Sequence, residues 1–153
     1  MERTIAVIGG SGFVGRATIE LLSRQKARII VLCRNAERAK FLKPMGTAGQ
    51  ITLISGDACN GETLERVIAP ADSVVNLVGI LAETRSQKFE LLQAELPKRI
   101  GILASKHGVE SVVHVSAIGA SISSSSVYSR TKASGEDALL SNFPKAVILR
   151  PSI

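Results

Sequence analysis

The sequence predicts an α/β fold, a doubly wound parallel sheet with helices on both faces, in a single three-layer αβα domain. Short apolar runs alternate along the chain with stretches of helical character, which is typical of repeated strand–helix–strand units. The runs are rich in Ile and Val and mostly continuous, as expected for strands that are buried on both faces. The length of 153 residues fits one domain, which we assign to 1–153.

Six strands and five helices follow in order from this pattern. The predicted strands are TIAVIG (4–9), RIIVLC (28–33), ITLIS (51–55), SVVNLVG (73–79), SVVHVS (111–116) and AVILR (146–150). The predicted helices lie near 13–25, 36–42, 62–68, 88–107 and 128–141. The serine-rich segment 120–126 is predicted to be a loop between the fifth strand and the last helix.

The composition argues against several classes of protein. With 45% apolar and 21% charged residues, the chain is neither disordered nor fibrous. Four Phe, one Tyr and no Trp argue against a surface that stacks nucleic-acid bases, so we expect no nucleic-acid partner. No apolar run approaches the 18 or so residues of a transmembrane segment. Peripheral attachment to a membrane complex stays open.

Charge and cysteine content indicate a partner class and a compartment. Residues 1–56 hold nine Lys or Arg and three acids, whereas 57–153 hold ten of each. A basic first third favours an anionic partner such as a phosphate, although a solvated basic surface is equally consistent with it. Cys33 and Cys59 form no CxxC motif, so we expect neither a disulfide scaffold nor a metal site. A reduced compartment, the cytoplasm or a matrix-like space, is the natural location.

A glycine-rich segment follows the first predicted strand and opens the first predicted helix. It consists of Gly9, Gly10, Ser11, Gly12, Phe13, Val14 and Gly15. In this context Gly9 permits a tight turn, Gly12 lets a pyrophosphate approach the backbone, and Gly15 lets the helix pack close to the strand. The N–H groups at the helix N-terminus then face the phosphates. The segment predicts a dinucleotide site, with a merely tight strand–helix turn as the alternative.

Residues at the ends of the second and third strands refine this prediction. Arg34 stands where a site for NAD usually carries an acid, and Arg38 follows four residues later. Because a guanidinium suits a 2′-phosphate, NADP(H) is favoured over NAD(H), unless Arg34 is only a solvated charge. Asp57, followed by Ala58, can accept a hydrogen bond from the adenine amino group. Asp57 can equally cap the helix that begins near Gly61.

A tyrosine and a lysine share one face of the last predicted helix. Tyr128 and Lys132 are four residues apart, so the ammonium lies near the phenol and can stabilise a phenolate. Such a pair suits acid–base chemistry, and the lysine can also hold the nicotinamide ribose. Ser116, at the end of the fifth strand, can polarise a substrate carbonyl. It can equally serve only its local backbone.

Together these motifs resemble the short-chain dehydrogenase/reductase superfamily in its extended or atypical branch. The matching pieces are GGSGFVG (9–15), GDA (56–58), NLVG (76–79), HVSA (114–117), YSRTK (128–132) and RPS (150–152). The resemblance implies a Rossmann fold and a Ser–Tyr–Lys set at Ser116, Tyr128 and Lys132. It also implies that Leu77, Val78 and Gly79 border the cofactor.

Segments 76–100 and 114–136 are more closely similar to the atypical group that contains the NADPH-binding accessory subunit of respiratory complex I and its bacterial relatives. Members of that group hold NADPH structurally. Two departures from active relatives stand out. Ala117 follows Ser116 where many active members have a second Ser or Thr, and the C-terminal region that extended members carry after RPS is not in this sequence.

Three functions are therefore open. The first is an NADP(H)-binding domain with a structural, assembly or redox-sensing role, peripheral to an inner-membrane respiratory complex. The second is an active reductase, epimerase or dehydratase that uses Tyr128 and Lys132. The third is an NADP-sensing regulatory protein. We expect a substrate-covering portion to be absent from these residues or very short.

Overall fold

Six parallel strands form one sheet in the computed structural model, which describes residues 3–152. The strands are β1 (Thr4–Ile8), β2 (Arg28–Cys33), β3 (Ile51–Ser55), β4 (Ser73–Asn76), β5 (Ser111–Val115) and β6 (Val147–Leu149). Their order across the sheet is β3-β2-β1-β4-β5-β6, and each pair of neighbours is parallel. This is the strand order of the Rossmann fold, so the predicted fold class is confirmed.

Four α-helices and two short segments of other helical type connect the strands. The α-helices are α1 (Phe13–Ser23), α2 (Gly61–Ile68), α3 (Leu96–Lys106) and α4 (Val127–Asn142). A 3₁₀ helix spans Lys40–Met45, and a π-helix spans Glu90–Glu95. The serine-rich segment 120–126 is a loop, as predicted. None of the helices within residues 3–152 combines the length and apolar character needed to cross a membrane.

The predicted helix at 36–42 is wrong. Residues 36–39 form turns, and only then does the 3₁₀ helix begin. The side chain of Asn35 accepts a hydrogen bond from the backbone N–H of Arg38 at 3.0 Å, which favours a turn over a helix. Pro44 has no N–H to donate, so an α-helix could not continue through it.

The predicted helix at 88–107 is divided into the π-helix and α3. Pro97 lies in the first turn of α3, and its missing N–H leaves the carbonyl of Gln93 without the usual helical donor. That carbonyl lies so close to Gly135 of α4 that a Cβ there would collide with it. The helix therefore widens where α4 approaches it, and the backbone N–H of Leu96 donates to Leu91.

Both faces of the sheet are covered by helices, but unequally. On one face α2, α3 and α4 pack on a core that includes Ala6, Ile30, Val74 and Val112. On the other face α1 and the 3₁₀ helix cover a second core around β1 and β2, formed by Val7, Ile19, Ile29, Val31, Cys33, Ala39, Leu42 and Ile51. The second layer does not reach β6, where Val147 and Leu149 are about half exposed.

Candidate functional site: a dinucleotide cleft

A cavity of about 560 Å³ opens at the carboxyl ends of β1, β2, β3 and β4. Open α/β sheets bind ligands at this edge, where the strand order reverses between β1 and β4. Nine of the residues predicted to bind a cofactor line it: Gly9, Ser11, Gly12, Arg34, Asp57, Ala58, Leu77, Val78 and Gly79. The topology therefore brings the motifs from four strand ends to one cavity.

The glycine-rich turn is built by close backbone contacts. Gly9 has a φ of +83°, which favours glycine, and its neighbour Gly10 is packed against side chains of β1, β2 and α1. A Cβ on Gly15 would collide with the carbonyl of Gly10. Gly15 therefore serves the close approach of α1 to the turn, as predicted, and lies outside the cavity lining.

Gly12 lies in more open surroundings than Gly15 does. A Cβ built on it would meet nothing closer than the Gly9 carbonyl, at 3.5 Å, and its φ of −78° suits any residue. Within the described chain, no packing therefore requires a glycine at this position. Gly12 caps α1 without a side-chain hydrogen bond, so the first N–H groups of the helix face the cavity region unpaired by a cap. This open cradle fits a pyrophosphate.

Phe13 and Val14 begin α1 and lie outside the cavity lining. The Phe13 side chain is 94% exposed and that of Val14 is 49% exposed. Their predicted contact with the cofactor stays a prediction.

At the end of β2, Arg34 lines the cavity and its side chain is exposed. The next acid along the chain, Glu37, pairs with Lys40 at 2.5 Å. In the part of the chain that the structure describes, neither Arg34 nor Arg38 forms a salt bridge. This end of the cavity therefore presents positive charge.

At the end of β3, Asp57 belongs to a tight turn. Its Oδ1 accepts a hydrogen bond from the backbone N–H of Cys59 at 2.9 Å. The alternative prediction, that Asp57 caps the following helix, is wrong: Asn60 caps α2, and its side chain accepts from the N–H of Thr63 at 2.9 Å. Asp57 therefore stays beside the cavity, where it is one of the lining residues.

The loop after β4 lines the cavity, and hydrogen bonds from the side chains of Asn76 and Gln93 hold it in place. Asn76 Oδ1 accepts from the N–H of Val78 at 3.2 Å. The fully buried amide of Gln93 donates to the carbonyl of Ile80 at 2.8 Å, and its oxygen accepts from Thr131 of α4 at 2.9 Å. The π-helix thus fixes the segment that carries Leu77, Val78 and Gly79.

Ser116, at the end of β5, and Tyr128 and Lys132, on α4, do not line this cavity, and of the three Lys132 reaches a lining residue. Lys132 is 4% exposed, and its Nζ lies 3.5 Å from the carbonyl of Val115 and 3.2 Å from the position of a Cβ on Gly79. Because Gly79 lines the cavity, the ammonium reaches its border. The ring of Tyr128 packs edge-on against Phe89, with 5.8 Å between the centroids.

The hydroxyl of Ser116 is buried and has no hydrogen-bond partner within the described chain. The reading in which Ser116 serves only its local backbone is therefore wrong, because the side chain bonds to none of it. A buried hydroxyl without a partner pays a desolvation penalty that a ligand can relieve. Such an atom fits a binding or catalytic role.

Burial lowers the pKa of Lys132 below its usual range, and the Glu136 carboxylate opposes this effect. Burial lowers the pKa of His114, on β5, to about 4. The positive charge of Lys132 also lowers this pKa, and the negative charge of Glu136 opposes the shift. His114 is therefore neutral at pH 7, and its Nδ1 pairs with the Asn76 amide at 3.0 Å.

The comparisons with known proteins agree with this geometry. The sequence model of a family described as NAD(P)H-binding matches residues 9–152. The chain belongs to this family. Its sequence is 36% identical over 147 residues to NADH dehydrogenase (ubiquinone) 1 alpha subcomplex subunit 9, mitochondrial, from Mus musculus, covering 95% of this chain and 39% of the relative. The corresponding protein of Arabidopsis thaliana is 34% identical, with 95% and 37% covered.

A solved structure shows the same fold. A putative NAD-dependent epimerase/dehydratase from Bacillus halodurans superposes with a TM-score of 0.83 at 21% identity, over 98% of this chain and 70% of that one. The chain is thus an NAD(P)H-binding Rossmann domain that resembles the mitochondrial subunit. It spans about two fifths of the length of the curated relatives above.

Several residues of this NAD(P)H-binding domain were not predicted. The cavity is also lined by Leu32, Cys33, Gly56, Cys59, Ile80, Ser86, Gln87, Leu91 and Leu92. Ser86 and Gln87 lie in the loop between β4 and the π-helix and carry no local motif that marks a cofactor contact, and the fourth strand, predicted to run to 79, ends at Asn76. Glu136 had a signal that the prediction did not use: it follows Lys132 by four residues on the same helix face.

Proposed function

We propose that this domain binds NADP(H) in preference to NAD(H). The observation that carries the proposal is the exposed guanidinium of Arg34 on the cavity wall, with no free acid beside it at the end of β2. A carboxylate at this place would accept hydrogen bonds from the ribose hydroxyls of NAD and would repel a 2′-phosphate. A guanidinium donates to the phosphate in a bidentate manner.

Two single substitutions on β2 test this preference. Arg34→Ala removes the guanidinium at the carboxyl end of the strand, and Arg28→Ala removes an equally exposed one at its amino end. We expect Arg34→Ala to weaken NADPH binding by about 1–3 kcal/mol, the range for a hydrogen bond to a charged group, and to leave NADH binding nearly unchanged. Arg28→Ala keeps the preference. Equal losses in both variants would mean that only net charge matters.

We propose further that the bound nucleotide has a structural, assembly or redox-sensing role in a larger protein that is peripheral to an inner-membrane respiratory complex. One observation supports this role: the resemblance to the mitochondrial relatives spans 95% of the chain. In this proposal the domain lies in the cytoplasm or a matrix-like compartment. Co-migration with the respiratory complex on native gels of mildly solubilised membranes is expected. Recovery only as a free species would favour an NADP-sensing regulator.

An active reductase, epimerase or dehydratase is a second candidate, because the unpartnered Ser116 hydroxyl and the Tyr128–Lys132 pair have the composition of a catalytic set. In that role Tyr128 is the acid or base, Lys132 modulates it and holds the ribose, and Ser116 polarises the carbonyl. Ile118 beside this set is 67% exposed, so the described chain does not enclose a substrate there. We expect no turnover by residues 1–153. NADPH oxidation that is lost in Tyr128→Phe would put the enzyme first.

A further inference from the structure

A buried carboxylate and a half-exposed guanidinium form an ion pair on the same side of the molecule as Lys132: Glu136 of α4 and Arg150 after β6. Glu136 follows Lys132 by one turn of α4, and both side chains are 4% exposed. The single N–H on Nε of Arg150 is shared between the two carboxylate oxygens of Glu136, at 3.0 and 3.2 Å from Nε, and Nη2 donates to Oε2 as well. Arg150 directly follows β6, and its side chain is half exposed. A buried carboxylate is thus held by a guanidinium that reaches in from the edge of the sheet.

Lys132 does not share this ion pair. Within residues 3–152, the salt bridges of at most 4.0 Å include Glu136 with Arg150 and none with Lys132. Both oxygens of Glu136 are occupied by Arg150, so the ammonium is left beside Val115 and Gly79 at the border of the cavity. The negative charge one turn away still favours the protonated form of Lys132, against its burial.

We propose that Glu136 and Arg150 are positioning residues for Lys132. Glu136 keeps the buried ammonium charged, and Arg150 occupies the carboxylate so that the ammonium faces the cofactor instead of Glu136. This inference rests on the proposed role of Lys132 in holding the cofactor ribose. In this proposal the two residues have different roles: Glu136 keeps the ammonium charged, and Arg150 keeps it directed at the cofactor. A pair that only stabilised the fold would show no such difference.

The charged groups around Lys132 come from three elements. Tyr128 and Glu136 belong to α4, His114 lies on β5, and Arg150 follows β6. The loop after β4 contributes the backbone of Gly79. Because the pKa of His114 is about 4, this imidazole stays neutral through the range in which Lys132 titrates. A change in cofactor affinity above pH 7 therefore does not come from His114.

The first experiment measures the titration of Lys132 without any nucleotide. The protein is labelled with ¹³C-lysine, and the ε-methylene resonance of Lys132 is assigned from its loss in Lys132→Ala. In Glu136→Gln the pKa of Lys132 is expected to fall, because burial is no longer opposed. In Arg150→Gln it is expected to rise, because the freed carboxylate attracts the ammonium. An unchanged titration in both variants would contradict the proposal.

The second experiment measures NADPH affinity against pH in the same variants. At low pH, Glu136→Gln is expected to bind NADPH as tightly as the wild type does. As the pH rises, its affinity for NADPH is expected to fall by about tenfold, and this fall occurs at a lower pH than in the wild type. Arg150→Gln is expected to be weaker by a similar factor across the neutral range, although its lysine is more fully charged. Equal loss in both variants at every pH would show a purely structural pair.

Two further variants keep the test available if a single substitution prevents folding. In the double variant Glu136→Gln, Arg150→Gln, two amides can bond to each other, and the pKa of Lys132 is again expected to fall. Arg150→Lys keeps the charge but loses the second hydrogen bond, so it is expected to shift the pKa upward by less than Arg150→Gln does. If NADPH does not bind at all, the proposed function fails, whereas the lysine titration still decides the positioning role.

Discussion

The sheet has a first side, strands β1 to β4, and a second side, strands β5 and β6, and helices cover these two sides differently. Around β1 and β2 helices pack on both faces, whereas β6 is covered on one. One row of valines that the strand register aligns shows this: Val7 is fully buried, Val75 and Val113 are partly buried, and Val147 is 49% exposed. The first side holds a cavity whose lining combines glycines with apolar and polar residues. The second holds buried polar atoms without partners, on Ser116 and His114.

This difference indicates that nucleotide binding and acid–base chemistry have separate structural requirements. Nucleotide binding needs close backbone approach, and the cavity that provides it is lined by the ends of β1 to β4, the loop after β4 and the π-helix. Acid–base chemistry needs an enclosed substrate, and the β5–β6 side is open. We therefore expect substitutions on the first side to change binding sharply. Those on the second side act through buried charges and hydroxyls.

The largest expected effect separates two glycines of the same turn. Gly15→Val is expected to prevent folding, because its side chain would meet the backbone of Gly10. Gly12→Val is expected to fold, with a loss of about 1 kcal/mol because Val is a poor N-cap residue, and to lose detectable NADPH binding, because the ligand needs that space. Thermal unfolding and NADPH fluorescence titration check both.

A matched control for this pair is Gly61→Val, at the first position of α2, where a Cβ also meets nothing within 4 Å. It is expected to fold and to bind. Wild-type affinity in Gly12→Val would place the nucleotide elsewhere and would erase the contrast between the two sides.

On the second side, acid is expected to destabilise the fold through His114. The pKa of its imidazole is about 4 in the folded chain and 6.5 in the unfolded one, so below pH 6.5 only the unfolded chain takes up the proton. The stability lost between pH 6.5 and 4 is about 3 kcal/mol. Urea unfolding across this range should show a shallower decrease in His114→Gln than in the wild type. Parallel decreases would mean that the imidazole titrates normally in the folded protein.

Lys132 connects the two sides, and its removal is expected to have an intermediate effect. Lys132→Ala should weaken NADPH binding by about 1.5–3 kcal/mol, because the ammonium loses hydrogen bonds to the ribose. Lys98→Ala, an exposed lysine of α3, removes the same charge and should leave affinity unchanged. Calorimetric titration of both variants measures the difference. Equal affinities would confine the nucleotide to the β1–β4 side.

The smallest expected effect concerns Ser116. Because its hydroxyl is buried without a partner, Ser116→Ala should leave the free energy of unfolding unchanged or raise it by about 1 kcal/mol in the protein without ligand. Thr131 is a contrasting hydroxyl, since it bonds to Gln93 at 2.9 Å. Thr131→Ala should lower the free energy of unfolding by about 1 kcal/mol. A destabilised Ser116→Ala would mean that the hydroxyl has a partner after all.

The features that can be predicted from the sequence are those that depend on residues close together in the chain. Continuous Ile and Val runs predict the six strands, since strands buried on both faces need no polar alternation. The glycine turn is predictable because its requirements lie within the seven residues 9–15. Arg34 and Asp57 could be assigned to the cavity because parallel strands bring their carboxyl ends together.

The missed features depend on contacts between distant segments. The π-helix arises where Pro97 removes the usual helical donor to the Gln93 carbonyl and where Gly135, on a different helix, lets α4 approach that carbonyl. The buried pair of Glu136 and Arg150 requires β6 to lie beside α4. The error at 36–42 is instead local, because the Asn35 side chain accepts a hydrogen bond from the N–H of Arg38 and favours a turn.

The most direct test of the account is a side-by-side calorimetric titration of the unmodified chain with NADPH and NADH at one ionic strength. The account predicts a single site and binding of NADPH at least about tenfold tighter, because Arg34 would add a charge-assisted hydrogen bond that only the 2′-phosphate can accept. Equal affinity for the two nucleotides, or tighter binding of NADH, would contradict it.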